Sequence, residues 1–218
     1  MRYNNLMTSI EFYFDPSCPF CWITSRWLLQ VQAKRDIDIT WRQFSLALKN
    51  NELTEQAGES PHAAAHRGSH RTQRVIRRAV SQHGAATAEL YAEFGIRYHI
   101  MEKAFDDDMI REVLAAKNLP LELLAAADDT SLDAELQAEI DSAVEAAGAD
   151  IGVPTIVFMS ADGQRIGYFG PVLNELPSSL EESLAIWDGL EKLATTSSFY
   201  EIKRARPGDP NVFSAARC

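Results

Sequence analysis

The sequence predicts an α/β protein: a strand–helix–strand unit, an inserted all-helical subdomain, and a closing strand–strand–helix unit. Three observations carry this. The apolar pattern switches to a helical period between residues 14 and 19. No convincing strand lies in residues 50–148, which are rich in Ala, Glu, Leu and Arg. Strand character then returns at residues 154–159, followed by an Asp162-Gly163 turn signal.

The elements follow in order. Residues 9–14 (Ser-Ile-Glu-Phe-Tyr-Phe) are aromatic and β-branched, and Asp15-Pro16-Ser17 stops them, so they predict a buried strand and a tight turn. Ile23, Trp27, Leu28 and Val31 fall at helical spacing and predict a helix from Pro19 to about residue 35. Residues 37–44 alternate and predict a second strand, completing a right-handed βαβ unit. Ser60-Pro61 reads as an N-cap followed by Pro at the first helical position. Gly84, Gly95 and the Asn118-Leu119-Pro120 break divide the middle into several helices. Residues 165–169 form the partner strand to 154–159, Gly170-Pro171 ends it, and a helix follows over 177–194. The chain thus divides into 1–49, a helical insertion 50–148, a second α/β part 149–203, and a flexible tail 204–218 with Pro207, Gly208 and Pro210.

Composition narrows the functional classes. The net charge of −10 argues against a general nucleic-acid-binding surface. Residues 1–9 lack an apolar signal core, and no stretch reaches the roughly 18 apolar residues of a membrane span. The expected compartment is the cytoplasm, with no membrane partner. Three cysteines, Cys18, Cys21 and Cys218, are too few for a disulfide scaffold.

The chemistry centres on Cys18-Pro19-Phe20-Cys21, where a strand gives way to a helix. Pro19 at the first helical position makes Cys18 the N-cap. Its sulfur then faces the free N–H groups of Phe20 and Cys21 and the positive end of the helix dipole. Such sites favour thiolate, lowering a cysteine pKa from about 8.5 to roughly 3.5–7.5. Three-residue spacing puts Cys21 on the same helix face, one turn in and more shielded. Cys18 is therefore the attacking sulfur and Cys21 the resolving one. The competing readings are half of a zinc site, which lacks a second pair of ligands, and an unreactive pair. Far along the chain, Gly152-Val153-Pro154-Thr155 opens a strand with Pro. A cis Val153–Pro154 bond facing the dithiol is expected, with the Val153 backbone free to pair with an extended substrate. An ordinary trans Pro at a strand start is the alternative.

These features together resemble the DsbA family of thioredoxin-fold proteins. More closely, the chain is similar to the actinobacterial mycothiol-dependent nitroreductases. The likeness rests on Phe14-Asp15-Pro16-Ser17-Cys18-Pro19-Phe20-Cys21 and its continuation to Trp27, Ser45-Leu46-Ala47-Leu48, and Leu90-Tyr91 with Gly95, Arg97 and His99. It extends to Gly152-Val153-Pro154-Thr155, Phe169-Gly170-Pro171-Val172-Leu173, Trp187-Asp188 and the run from Phe199 to Arg204, covering residues 9–206. Where the family motif has Trp between Pro and the second Cys, this chain has Phe20. The resemblance implies a thioredoxin-like fold of DsbA type and mycothiol, a low-molecular-weight thiol, as reductant through a mixed disulfide on Cys18. It also implies reduction of disulfides or small nitroaromatics and no bound flavin. One rival is a general protein-disulfide reductase or isomerase; another is a non-catalytic redox-sensing or interaction module. An isomerase of the kappa-class glutathione transferase group fits less well, because its chemistry needs no vicinal dithiol. The oligomeric state is not legible.

The remaining candidates have plainer readings beside them. Pro19, Phe20, Val153 and Pro154 are expected to contact substrate. Asn50 either orients a ligand or caps a helix. His99 either lines the pocket and assists proton transfer or is a satisfied structural imidazole. His62, His66 and His70 are four apart, but Gly68-Ser69 interrupts the expected helix and no carboxylate is near in sequence, so no metal is expected. Arg67, Arg71, Arg74, Arg77 and Arg78 read as a solvated face paired with acids, or as a border of the pocket. Trp22 and Trp27 read as helix packing, and Cys218 as a free thiol.

Overall fold

Residues 8–54, 62–159 and 163–216 are described by the computed structural model of the chain. Strand β1 (Thr8–Phe14) is followed by helix α1 (Pro19–Gln32), strand β2 (Ile37–Gln43) and the one-turn helix α2 (Leu46–Lys49). Helices α3 (Ala63–His83) and α4 (Thr87–Gly95) come next, then a π-turn (Ile96–Ile100) and α5 (Asp107–Ala116). Two 3-10 segments lead to α6 (Asp133–Ala147), strands β3 (Thr155–Met159) and β4 (Arg165–Phe169), and α7 (Leu180–Ala194).

The sheet order is β2-β1-β3-β4. β1 runs parallel to β2 and antiparallel to β3, and β3 runs antiparallel to β4. Phe12 of β1 sits opposite Trp41 of β2 and Ile156 of β3. Strand alternation places Ile10, Phe12 and Phe14 on one face of the sheet. That face is covered by α1 and α7, with Trp187 against both Trp27 and Phe158. Tyr91 of α4 closes its β2 side against Phe14 and Trp41. Glu11 and Tyr13 point to the other face, where α6 lies. There Arg165 bonds Glu11 at 2.6 Å and the Ser142 hydroxyl at 2.9 Å, and Arg42 reaches both Glu11 and Glu139. A second apolar core belongs to the helical unit and includes Val75, Ile76, Phe94, Ile110, Val113 and Leu114.

The boundary expected at residue 148 is displaced by this packing. α6 falls inside the expected insertion, yet Ile140 and Ala143 are buried in the sheet core. Helical periodicity shows that α6 has an apolar face, but not which core receives it. The break expected at Gly68-Ser69 is absent: α3 runs through it unbroken. A Cβ at Gly68 would lie 2.6 Å from Phe105 Cβ, so this glycine admits a close helix contact rather than a stop. Gly84 does end α3, with φ +63 at the C-cap. The tail expected to be loose is instead pinned. Asn211 N–H donates to Asn174 O at 2.7 Å, the Leu176 N–H donates to Ser214 Oγ at 2.8 Å, and Ala215 is fully buried beside Trp22 and Ile23. One small side chain in a Pro- and Gly-rich tail leaves little apolar signal for that docking. Ser60, Pro61, Asp162 and Cys218 lie outside the described residues, though β3 and β4 pair as a hairpin would require. Among the described residues no helix is long and apolar enough to cross a membrane.

Candidate active site

Asp15 builds the platform for Cys18. Its Oδ1 accepts from Ser17 N–H at 2.8 Å, Ser17 Oγ at 2.6 Å and Ser69 Oγ at 2.5 Å. Its Oδ2 accepts from the Leu46 N–H at 2.8 Å and Gln73 Nε2 at 3.1 Å. The carboxylate is fully buried, so these five donors replace the water it has lost. The Asp15 carbonyl accepts the Cys18 N–H at 3.0 Å, which closes the turn. In sequence Asp15 reads only as the end of a strand, although an Asp two residues before a Ser is an Asx-turn signal that could have pointed to this role. The partners on α2 and α3 were not legible, because they come from distant parts of the chain.

Cys18 is the N-cap of α1, with extended backbone and Pro19 at the first helical position. Its Sγ accepts the Cys21 N–H at 3.5 Å, and the Cys18 carbonyl accepts the Trp22 N–H at 3.1 Å. The expected Cys21 donor is therefore present, whereas among the described residues the Phe20 N–H does not bond the sulfur. The two sulfurs are not bonded to each other. Cys18 keeps 7% of its surface exposed and Cys21 none, and the half-exposed Pro19 and Phe20 border the sulfur. Burial first, and then the neighbouring Cys18, push the Cys21 thiol well above its ordinary pKa. The pair is thus asymmetric, with one sulfur reachable from solvent and the other a protonated thiol behind it.

The Val153–Pro154 bond is cis, and the Cys18 thiol donates to the Val153 carbonyl at 3.4 Å. This brings the two sequence motifs, 135 residues apart, into direct contact. The loop is braced on both sides. Gly170 N–H donates to Pro154 O at 2.7 Å, and Thr155 Oγ1 donates to Gly152 O at 2.8 Å. Phe169, 53% exposed, lies close to Gly152 and gives the loop an apolar flank that the sequence reading did not assign.

The other candidates are placed as follows. Asn50 is exposed at the C-cap of α2, and its side chain reaches Glu52 at 3.5 Å. His99 is buried, bonds Pro16 O through Nε2 at 2.9 Å and stacks on Trp22. Burial holds its pKa down to about 4, partly opposed by the bond to Pro16 O, so the ring is neutral and braces the turn before Cys18. Among the described residues, neither Asn50 nor His99 bonds a sulfur. His66 pairs with Glu52 at 2.6 Å. His70 lies between Ser45 at 2.9 Å and Asp133 at 3.0 Å. Carboxylates absent from the local sequence thus arrive from other elements, each to its own imidazole. Arg71, Arg74, Arg77 and Arg78 pair with acids of the helical unit and α6, as the plain reading of that run expects, but Arg74 is buried rather than solvated and Arg67 reaches the Glu52 backbone carbonyl at 3.5 Å. Trp22 packs against the face of Gly95, where a Cβ would sit 2.5 Å from the indole.

Comparison with known proteins agrees with this geometry. The chain matches a probable DsbA oxidoreductase from Streptomyces coelicolor at 18% identity and TM-score 0.56, over 93% of this chain and 97% of that one. It matches the cytosolic disulfide reductase DsbM of Pseudomonas aeruginosa at 14% identity and TM-score 0.55, over 85% and 99% of the two chains. These likenesses establish a thioredoxin-like fold of DsbA type with helices inserted. The uncharacterized protein Rv2286c of Mycobacterium tuberculosis is 32% identical over 95% of this chain and 87% of its own length. Residues 17–204, which include the Cys18–Cys21 pair and the Pro154 loop, match the family described as Rv2466c-like, mycothiol-dependent nitroreductase Rv2466c, and the chain belongs to that family of redox enzymes.

Proposed function

We propose that the protein is a cytoplasmic thiol–disulfide oxidoreductase that works through the Cys18–Cys21 dithiol and is recharged by mycothiol. The observation that carries this reading is the reachable Cys18 sulfur at a helix N-cap, 3.4 Å from the carbonyl before a cis proline. A cytoplasmic setting suits this reading, because a reducing compartment returns such a pair to the thiol form after each turnover.

The geometry supplies each step. Once Cys18 has given up its proton to attack, it can no longer donate to the Val153 carbonyl, while the Cys21 N–H stays against its sulfur at 3.5 Å. The Val153 carbonyl is then released to accept from a substrate placed along the loop. The thiolate attacks a substrate disulfide; one S–S bond forms as the other breaks, and the departing thiolate takes a proton. Two of the causes that raise the Cys21 pKa come from Cys18 and disappear in the mixed disulfide. Cys21 therefore ionises more readily once it is needed. Its attack forms the Cys18–Cys21 disulfide and expels the second thiol. Two equivalents of mycothiol then restore the dithiol and leave as their own disulfide. For a nitroaromatic, the same two electrons with two protons give a nitroso group and water.

Trapping tests the reading. Cys21→Ser should accumulate a mixed disulfide with mycothiol, visible by mass spectrometry, and Cys18→Ser should lose all turnover. Full mycothiol-dependent activity in Cys18→Ser would overturn it. The exposed Phe169 beside the Pro154 loop favours a second reading, in which the substrate is an extended polypeptide disulfide. Reduction of a protein disulfide far faster than of a small one would select it. Stoichiometric oxidation without turnover by any thiol would select a redox-sensing role instead.

A further inference from the structure

The family match ends at residue 204, but the chain continues and returns to the dithiol. The anchored segment 211–215 lies against α1, with Ala215 buried beside Trp22 and Ile23. On the way there, the backbone carries Arg206 across the motif, its guanidinium carbon 4.7 Å from the Phe20 ring centroid. Phe20 sits between the two cysteines in sequence and borders Cys18. The stack therefore holds a positive charge over Phe20, the residue two places after Cys18 in the motif.

Among the described residues that charge is not neutralised by an ion pair, unlike most arginines of α3. The chain has a net charge of −10, and Arg71, Arg74, Arg77 and Arg78 are each paired with an acid. Arg206 is exposed, and among the described residues no carboxylate pairs with it. The exposed Lys203 and Arg204 precede it. A guanidinium with one face against a ring keeps its in-plane N–H fork open. A planar carboxylate satisfies such a fork with two parallel bonds.

We propose that Arg206 is a specificity-determining residue of this site and takes a carboxylate of a small disulfide substrate while Cys18 attacks its sulfur. The proposal rests on the dithiol reading above and adds a substrate class to it. The electron balance is unchanged. The dithiol closes to a disulfide and R–S–S–R leaves as two R–SH, each bearing its carboxylate. Mycothiol has no carboxylate, so the charge would sort the substrate to be reduced rather than the reductant.

The test uses reduced full-length protein and three symmetric disulfides: 3,3′-dithiodipropionate, bis(2-hydroxyethyl) disulfide and cystamine, which are anionic, neutral and cationic. The rate of dithiol oxidation is followed by quenched mass analysis. Arg206→Gln should slow the reaction with the dicarboxylate by about fivefold or more. It should leave the neutral disulfide within twofold and relieve any handicap of cystamine. Arg206→Lys should restore part of the rate, since it keeps the charge without the fork. Equal slowing on all three disulfides would overturn the proposal, leaving Arg206 only a packing role against Phe20. No change on any of them would overturn it too. If the wild type oxidises with none of the three, the Cys18 reading fails and the proposal fails with it.

Discussion

Cys18 and Cys21 differ because one residue caps a helix and the other lies a turn inside it. Iodoacetamide should therefore label Cys18 in the folded reduced protein, while Cys21 labels only after unfolding. Peptide mass mapping at short times distinguishes them, and equal labelling of both would contradict the asymmetry. The sequence showed this pair clearly, because strand end, Pro19 and three-residue spacing are all local. It left His99 open between two roles, since its partners Pro16 and Trp22 are far away in sequence. Placement settles what the ring does for stability. An unfolded histidine takes its proton near pH 6.5, but the buried His99 resists until about pH 4. Its contribution is complete above about pH 6.5 and is lost as pH falls towards 4, by about 2 kcal/mol at pH 5. The pKa of His70 is lowered too, chiefly by burial, and adds a loss of the same sign. Urea unfolding at pH 7.5 and pH 5 should show this difference in wild type. His99→Gln, which keeps a donor for Pro16 but has no proton to gain, should flatten it. An unchanged slope would place the titrating group elsewhere.

Among the elements, the strands and α1 were legible because their periods are local, whereas the unbroken α3 was not. Gly68 reads as a breaker by propensity, but the cost of glycine in a helix is only about 1 kcal/mol and tertiary contact overrides it. Gly95 shows the same principle at the end of α4. The indole of Trp22 occupies the space a Cβ would need, at 2.5 Å. Gly95→Ala must push α4 and α1 apart, at a cost of about 1–3 kcal/mol by overpacking, although alanine is the better helix former. Thermal unfolding should show the loss, with a changed near-ultraviolet signal from Trp22. An unchanged or raised melting temperature would mean that the contact is looser than it looks. The tail escaped sequence reading for a related reason: Ala215 carries no pattern of its own and is buried only because α1 offers Trp22 and Ile23.

At the scale of the molecule, two apolar cores are held together by a few cross-links, and the dithiol sits at one of them. Tyr91 of α4 packs into the sheet core, and α6 carries Glu139 to Arg42 of β2 and Arg77 of α3. Gln43 of β2 donates to the Gln73 carbonyl of α3, Ser45 bonds His70, and Asp15 is a further link, next to the Cys18 turn. Its carboxylate gathers donors from the turn, from α2 and from α3. An amide in its place turns one acceptor into a donor, so buried N–H and O–H groups meet N–H instead of oxygen. Asp15→Asn should cost about 2–4 kcal/mol, since unsatisfied buried donors lose their full solvation. The loss should also be uneven. In wild type, urea transitions followed by far-ultraviolet helix signal and by tryptophan fluorescence should coincide, because the cores unfold as one. In Asp15→Asn the helix signal should fall first, since the helical unit has lost one of its two α3 bonds to the turn, that of Ser69 or that of Gln73, while the sheet core around Trp27 and Trp187 is untouched. Coincident transitions in the variant would show that the remaining links suffice to couple the cores, and that Asp15 serves the Cys18 turn alone.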